Sequence, residues 1–222
     1  MSVPGAVVTR PYSMAEARAD ILGAQQTHAD TIQAFHALVY HQRHTWSCTH
    51  YEGVPVLKLP QDLWTYHQWI HALKPSLIVE TGTAKGGSAL YFARQMEAWD
   101  GKVVTFDLER HEGLPHHSAI RYVTGDSSND ELVRWALARY PLDRVMVVLD
   151  SLHTAEHVAK ELDVFAPYVS VGQLLVVEDT NTTGPAEAVA TWLPTHPEFQ
   201  PEVLCERHLM TFSPCGWLWR VA

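Results

Sequence analysis

Between residues 77 and 193, short apolar runs alternate with amphipathic stretches, which leaves few folds open to the chain. Leu77–Glu80, Lys102–Asp107, Ile120–Thr124, Arg144–Asp150 and Leu174–Asp179 have strand length and strand composition. Helical segments fall between most of them, at about 87–98, 129–139, 153–165 and 185–193. Strands separated by helices predict a parallel sheet, because a parallel pair needs a long crossover. Uninterrupted apolar runs such as Val145–Leu149 suit strands covered on both faces. The end of the chain departs from this rhythm. His208–Phe212 and Trp217–Val221 read as two strands joined by Ser213-Pro214-Cys215-Gly216, an antiparallel hairpin. The expected fold is therefore α/β, a mostly parallel seven-stranded sheet with helices on both faces and a C-terminal antiparallel hairpin.

Ahead of the alternation, residues 14–42 carry Ile21, Leu22, Ile32, Phe35, Leu38 and Val39 at roughly helical spacing and predict one or two helices. A polar, aromatic connector His44–Gly53 follows, then the short segment Val54–Leu59, stopped by Pro60. Asp62 is expected to cap a helix over 62–74 whose Leu63, Tyr66, Trp69, Ile70 and Leu73 form one stripe. The chain divides into an N-terminal helical extension, 1–50, and a main domain, 51–222.

Composition narrows the class. A 46% hydrophobic chain of 222 residues can bury one full core. Met1–Arg10 lacks a charged start followed by an apolar run, which argues against a secretory signal. No apolar stretch is long enough to span a bilayer as a helix. Cys48, Cys205 and Cys215 are odd in number and form no C-x-x-C pair, so a cytoplasmic protein without disulfides or zinc is expected. A net charge of −9 argues against a nucleic-acid partner.

The first candidate site is the loop after Leu77–Glu80, Thr81-Gly82-Thr83-Ala84-Lys85-Gly86-Gly87-Ser88. In an open α/β sheet the ligand crevice lies at the carboxyl ends of the strands. The loop is not a dinucleotide fingerprint, since Ala84 stands where a glycine is required, and it is not a P-loop, since Ser88 follows Gly87. What remains is acid-x-Gly-x-x-x-Gly, with Glu80 placed to meet the ammonium of a bound amino acid. Asp107 ends the next strand, where a carboxylate can accept both hydroxyls of a ribose. Gly125-Asp126-Ser127 closes the third and lies in reach of an adenine. Each feature alone also suits an ordinary loop: a glycine turn, a solvated acid, an Asx turn.

The second candidate is a set of acids. Asp150 ends one strand and Glu178-Asp179 end another. Neighbouring parallel strands lie ~4.8 Å apart, so adjacency brings three carboxylates to one edge, where they repel unless a cation or protons neutralise them. Hard oxygen ligands without cysteine suit Mg²⁺, Ca²⁺ or Mn²⁺; capping and loop solvation are the alternatives. His153, three residues beyond Asp150, is placed to act as general base. His157 is expected to support that helix or to hydrogen-bond His153.

At these residues the chain resembles the cephalosporin hydroxylase-like methyltransferases, which include metal-dependent sugar O-methyltransferases. The resemblance runs from about Tyr51 to the C-terminus. It is carried by Gly53-Val54-Pro55 through Leu59-Pro60-x-Asp62-Leu63-Trp64, Val79-Glu80-Thr81-Gly82-x-x-x-Gly86-Gly87-Ser88-Ala89, Leu149-Asp150-Ser151-x-His153-x-x-x-His157-Val158, Val176-Val177-Glu178-Asp179-Thr180 and Phe212-Ser213-Pro214. It implies a Rossmann-like class I methyltransferase fold and S-adenosyl-L-methionine near Glu80, Thr81, Gly82, Ser88, Asp107, Asp126 and Ser127. It further implies Mg²⁺ on Asp150, Glu178 and Asp179, a base at His153, and a homo-oligomer with N-terminal helices covering neighbouring subunits. The function it implies is O-methylation of a hydroxyl on a deoxysugar or other diol-bearing natural product, a glycosylated small molecule. Two alternatives stay open: a cofactor-binding component of a two-protein hydroxylation or methoxylation system, and a non-catalytic partner subunit.

Overall fold

The computed structural model of the protein describes residues 13–43 and 45–222; the expectation for Met1–Arg10, and His44 of the connector, lie outside them. The N-terminal helical stretch is two helices, α1 (Met14–Thr27) and α2 (Ala29–Ala37), broken at His28. Ser13 and Glu16 close a capping box at the start of α1. After α2 the chain widens into a π-helical turn, Leu38–Arg43. A minimal hairpin follows, β1 (His50–Tyr51) and β2 (Val54–Pro55), turning through Glu52 and Gly53, both at positive φ.

Pro60 opens α3 (Pro60–Leu73), where its missing N–H costs nothing. Asp62 does not cap this helix. It is buried in the first turn and accepts a hydrogen bond from the Phe212 N–H at 2.9 Å; burial and the nearby Glu178 charge push its carboxyl up to about 7. The alternation then appears in order: β3 (Leu77–Thr81), α4 (Gly87–Gln95), β4 (Lys102–Asp107), β5 (Ile120–Thr124), α5 (Asp130–Leu137), β6 (Val145–Leu149), α6 (Ala155–Phe165), β7 (Leu174–Val177) and α7 (Thr183–Trp192). Two short strands close it, β8 (Phe199–Pro201) and β9 (Trp217–Arg220).

The seven strands lie in the order β5-β4-β3-β6-β7-β9-β8, parallel from β5 through β7 and antiparallel beyond. The expected α/β sheet with a terminal hairpin is present, but the partner of β9 is Phe199–Pro201, not His208–Phe212. The latter segment has other obligations: Phe212 N–H goes to Asp62, while Met210 and Phe212 pack on Leu59. From β3 the chain adds strands outward on one side, then returns to lay β6 on the other. The switch point between β3 and β6 is where such sheets open a ligand crevice.

Period-2 alternation sorts the side chains. Leu77, Val79, Val145, Val147, Leu175 and Val177 pack with α5, α6 and α7. Ile78, Met146, Val148, Leu174 and Val176 pack with α3 and α4. The same alternation sends Glu80 of β3 toward α3, and continued one residue past the ends of β6 and β7 it sends Asp150 and Glu178 the same way. Among the described residues, no helix is long and apolar enough to cross a membrane, and all three cysteines are free.

Candidate active site

A cavity of about 490 Å³ opens at the carboxyl ends of the central strands, within the usual range for small-molecule sites. One wall is the β3–α4 loop. Gly82 has φ +81°, and a side chain there would place its Cβ 1.8 Å from the Asp150 carbonyl oxygen, so this turn requires glycine. Asp107, at the end of β4, accepts the Ala84 N–H at 2.9 Å and tethers the loop, with His111 Nε2 3.4 Å from the same carboxylate oxygen. Gly82, Ser88, Asp107 and Ser127 line the cavity, as expected; Glu80, Thr81 and Asp126 do not.

Those three are engaged elsewhere. Glu80 is fully buried against β4, accepting from Thr105 Oγ1 at 2.7 Å, and its Oε1 has no protein partner. Burial pushes its carboxyl up to about 7 against the pull of Lys58. Thr81 Oγ1 accepts the Asp150 N–H at 3.1 Å, joining β3 to β6. Asp126 accepts from both the N–H and the hydroxyl of Ser128, an Asx turn that holds its carboxyl below the usual range. Ser127 donates to the buried Glu161 at 2.5 Å, and Glu161 also takes the Ser151 hydroxyl at 2.7 Å. His157 sits 3.4 Å from Glu161, one turn on along α6, so of its two expected roles it takes the support of that helix rather than a bond to His153.

At the other wall the strand ends gather Asp150, His153 and Asp179, whose ligand atoms all lie within 4.8 Å of one another. His153 bridges the two acids: Nε2 is 3.4 Å from Asp150 Oδ1 and Nδ1 is 3.2 Å from Asp179 Oδ2. The Asp150 hydrogen bond, opposed by burial and helped by the Asp179 charge, raises the imidazole pKa above its ordinary value. Asp179 leaves its strand at φ +55°, which turns it away from Glu178. Burial and the charge of Asp150 push its carboxyl up to about 7.

Glu178 does not join this group. Its Oε1 receives Tyr66 Oη at 2.5 Å and Lys58 Nζ at 3.0 Å, and its Oε2 receives Ser213 Oγ at 3.3 Å. Lys58, only 3% exposed, also donates to Asp150 Oδ2 at 2.7 Å. Burial alone would raise Asp150, but Lys58 and His153 outweigh it and hold the carboxyl below the usual range. Sequence reasoning missed Lys58 and Tyr66. The one available signal was a lysine inside the otherwise apolar Val54–Leu59. It also placed no functional weight on Tyr40, whose hydroxyl donates to Asp179 Oδ2 at 3.3 Å.

A rhamnosyl O-methyltransferase from Mycobacterium bovis (BCG) is 34% identical over 154 residues, covering 65% of this chain. The matched part spans 62% of that relative's length. One from Mycobacterium leprae is 30% identical over 200 residues, covering 82% of this chain and 87% of the relative. A solved structure of CmcI with Mg and SAM superposes with a TM-score of 0.60 at 20% identity, covering 79% of this chain and 78% of the other, a shared Rossmann-like fold. The family model described as rhamnosyl O-methyltransferase/CmcI matches residues 43–221, and the chain belongs to that family.

Proposed function

We propose that the protein is an S-adenosyl-L-methionine-dependent O-methyltransferase acting on a sugar hydroxyl of a glycosylated small molecule, with a divalent cation, Mg²⁺, in its site. The observation that carries this reading is the meeting of the glycine loop and the Asp150–His153–Asp179 group in one cavity. The names of its relatives and the ligands of the CmcI structure agree with it.

The residues fit both groups. The cavity volume suits a nucleoside-sized ligand. Gly82 and Ser88 offer backbone close to a ligand, Asp107 offers a carboxylate for ribose hydroxyls, and Ser127 a polar group beyond it. The unpartnered Oε1 of buried Glu80 is an acceptor behind the loop. For the cation, Lys58 is one ammonium against the carboxylates of Asp150, Glu178 and Asp179, so two negative charges remain when all three ionise. Asp179, pushed up to about 7, is the carboxylate most in need of that charge. Asp150 and Asp179 would hold the ion with hard oxygen donors, with Glu178 behind them in the grip of Lys58 and Tyr66.

When bound, the cofactor supplies an activated methyl on sulfur, and the cation supplies charge that eases ionisation of a hydroxyl. The chain's own residues do the rest. Asp150 and Asp179 lie 3.4 and 3.2 Å from the two nitrogens of His153 and orient the ring, and in the neutral imidazole the nitrogen without a proton is the one that can accept one. His153 would take the acceptor's hydroxyl proton on its free ring nitrogen, and the cofactor, held along Gly82, Ser88 and Asp107, would supply the methyl group that this oxygen receives, with S-adenosylhomocysteine and a methyl ether as products. Proximity and alignment along the cavity matter most, since the methyl is already activated. The reading includes a homo-oligomer and residues 1–50 as a covering extension, which sedimentation and deletion of the extension would examine. The direct experiment is transfer of labelled methyl from S-adenosylmethionine to a panel of glycosides; no transfer to any of them, with no binding of S-adenosylhomocysteine, would refute it.

A further inference from the structure

We infer that Tyr40 and Trp46 form the acceptor-recognition wall of this site: a ring with an apolar face, such as a pyranose, stacks on Trp46 while the Tyr40 hydroxyl steers the reacting oxygen toward Asp179 and His153. The inference rests on the methyl-transfer reading above.

Three observations carry it. Tyr40 lies on the π-helical turn Leu38–Arg43, a distortion that re-aims a side chain and that recurs at functional sites. Its hydroxyl reaches Asp179 Oδ2 at 3.3 Å, the oxygen that His153 Nδ1 approaches at 3.2 Å, so the phenol stands beside the proposed base. The two rings are also braced. Tyr40 stacks on Trp46 at 5.7 Å and 23°, and both meet Phe212 edge-on, at 4.9 and 6.3 Å. Behind them Phe212, Leu59 and Met210 are buried.

Tyr40 and Trp46 line the same cavity as the carboxylates, together with Leu57 and Leu152, which are 42% and 54% exposed. Exposed aliphatic groups and an aromatic face beside two carboxylates make a surface for a molecule apolar on one side and hydroxylated on the other. Tyr40 precedes residue 43, where the family match begins. From just outside the matched region, Tyr40 thus touches a carboxylate within it.

The test uses the full chain saturated with S-adenosylhomocysteine and Mg²⁺, with methyl α-rhamnopyranoside as probe. Saturation-transfer NMR from protein aromatic protons should mark the sugar's ring C–H protons in the wild type. Trp46→Ala should weaken the probe's affinity at least about tenfold, and Trp46→Phe should keep most of it. Tyr40→Phe, which keeps the ring packing and is informative even where Trp46→Ala fails to fold, should raise KM and lower kcat, together about three- to tenfold in kcat/KM. Calorimetric affinity for S-adenosylhomocysteine should stay constant in all three. Unchanged rhamnoside affinity in Trp46→Ala and Tyr40→Phe, or no transfer to the probe in the wild type, overturns the wall. Failure of the wild type to bind S-adenosylhomocysteine or to move a methyl group speaks instead against the methyl-transfer reading, and the saturation experiment still decides the wall.

Discussion

Replacing Lys58 by Met removes the ammonium that bridges Asp150 and Glu178 while keeping a long apolar stem. Lys58 is 3% exposed, so little solvent is present to take over its role. Removing one partner of a buried ion pair costs about 3–5 kcal/mol, chiefly because a bare charge stays behind. Two features pull the cost toward the lower end: Tyr66 and Ser213 still donate to Glu178, and Asp150 keeps His153 and some contact with water. About 3 kcal/mol is expected, against the ~5–15 kcal/mol that holds an ordinary domain together. Urea unfolding followed by tryptophan fluorescence reads it directly. Adding Glu178→Gln to Lys58→Met leaves one fewer uncompensated charge and should recover part of the loss, since replacing a whole buried pair is close to neutral. Mg²⁺ should stabilise Lys58→Met more than the wild type, by supplying the missing positive charge. A single variant within 1 kcal/mol of the wild type, or a double variant no better than the single, would refute this account of the site's electrostatics.

His153→Ala should leave cofactor binding intact and lower turnover by about 10²–10⁴-fold, the usual cost of a lost general base; an initial-rate assay beside cofactor calorimetry checks both. Because His153 must be without its second proton to act as a base, wild-type turnover should climb as pH rises through the imidazole range. The cation-free protein should lose stability as pH rises from about 4 to 7 through Asp179. Its carboxyl holds its proton more tightly folded than unfolded, so stability is present at low pH and lost as the group ionises. Thermal melts of EDTA-treated wild type and Asp179→Asn should show that slope in the first and a smaller one in the second. Asp107→Ala should cut cofactor affinity by the ~1.5–3 kcal/mol of charged hydrogen bonds, and calorimetry reads that loss.

Much of the fold was legible because strand-length apolar runs and helical stripes report local burial, and burial sets the sheet. The hairpin partner was misread because His208–Phe212 has strand composition, yet its backbone and side chains answer to Asp62 and Leu59, far away in sequence. Asp62 misled for the same reason: an acid ahead of an apolar stripe looks like a cap until a distant N–H claims it. In the site, the acids at strand ends were visible, since a carboxylate closing an apolar strand is conspicuous. How Glu178 and Asp179 divide was not. That depends on strand alternation, on the left-handed turn at Asp179, and on Lys58 and Tyr66 arriving from α3 and the loop before it. Asp126 shows the converse, an acid with a plausible ligand role whose oxygen is spent on its own turn.

If the glycine loop and the Asp150–His153–Asp179 group act together, turnover depends on the cation while cofactor binding does not. Labelled methyl transfer from S-adenosylmethionine to a rhamnoside is measured in the wild type after EDTA treatment, while Mg²⁺ is added back, with S-adenosylhomocysteine affinity measured in parallel. No turnover is expected in EDTA, with recovery that saturates with Mg²⁺ and cofactor affinity that changes little across the series. Full turnover in EDTA would contradict it, and the carboxylates would then have to be explained by their bonds to Lys58 and His153 alone.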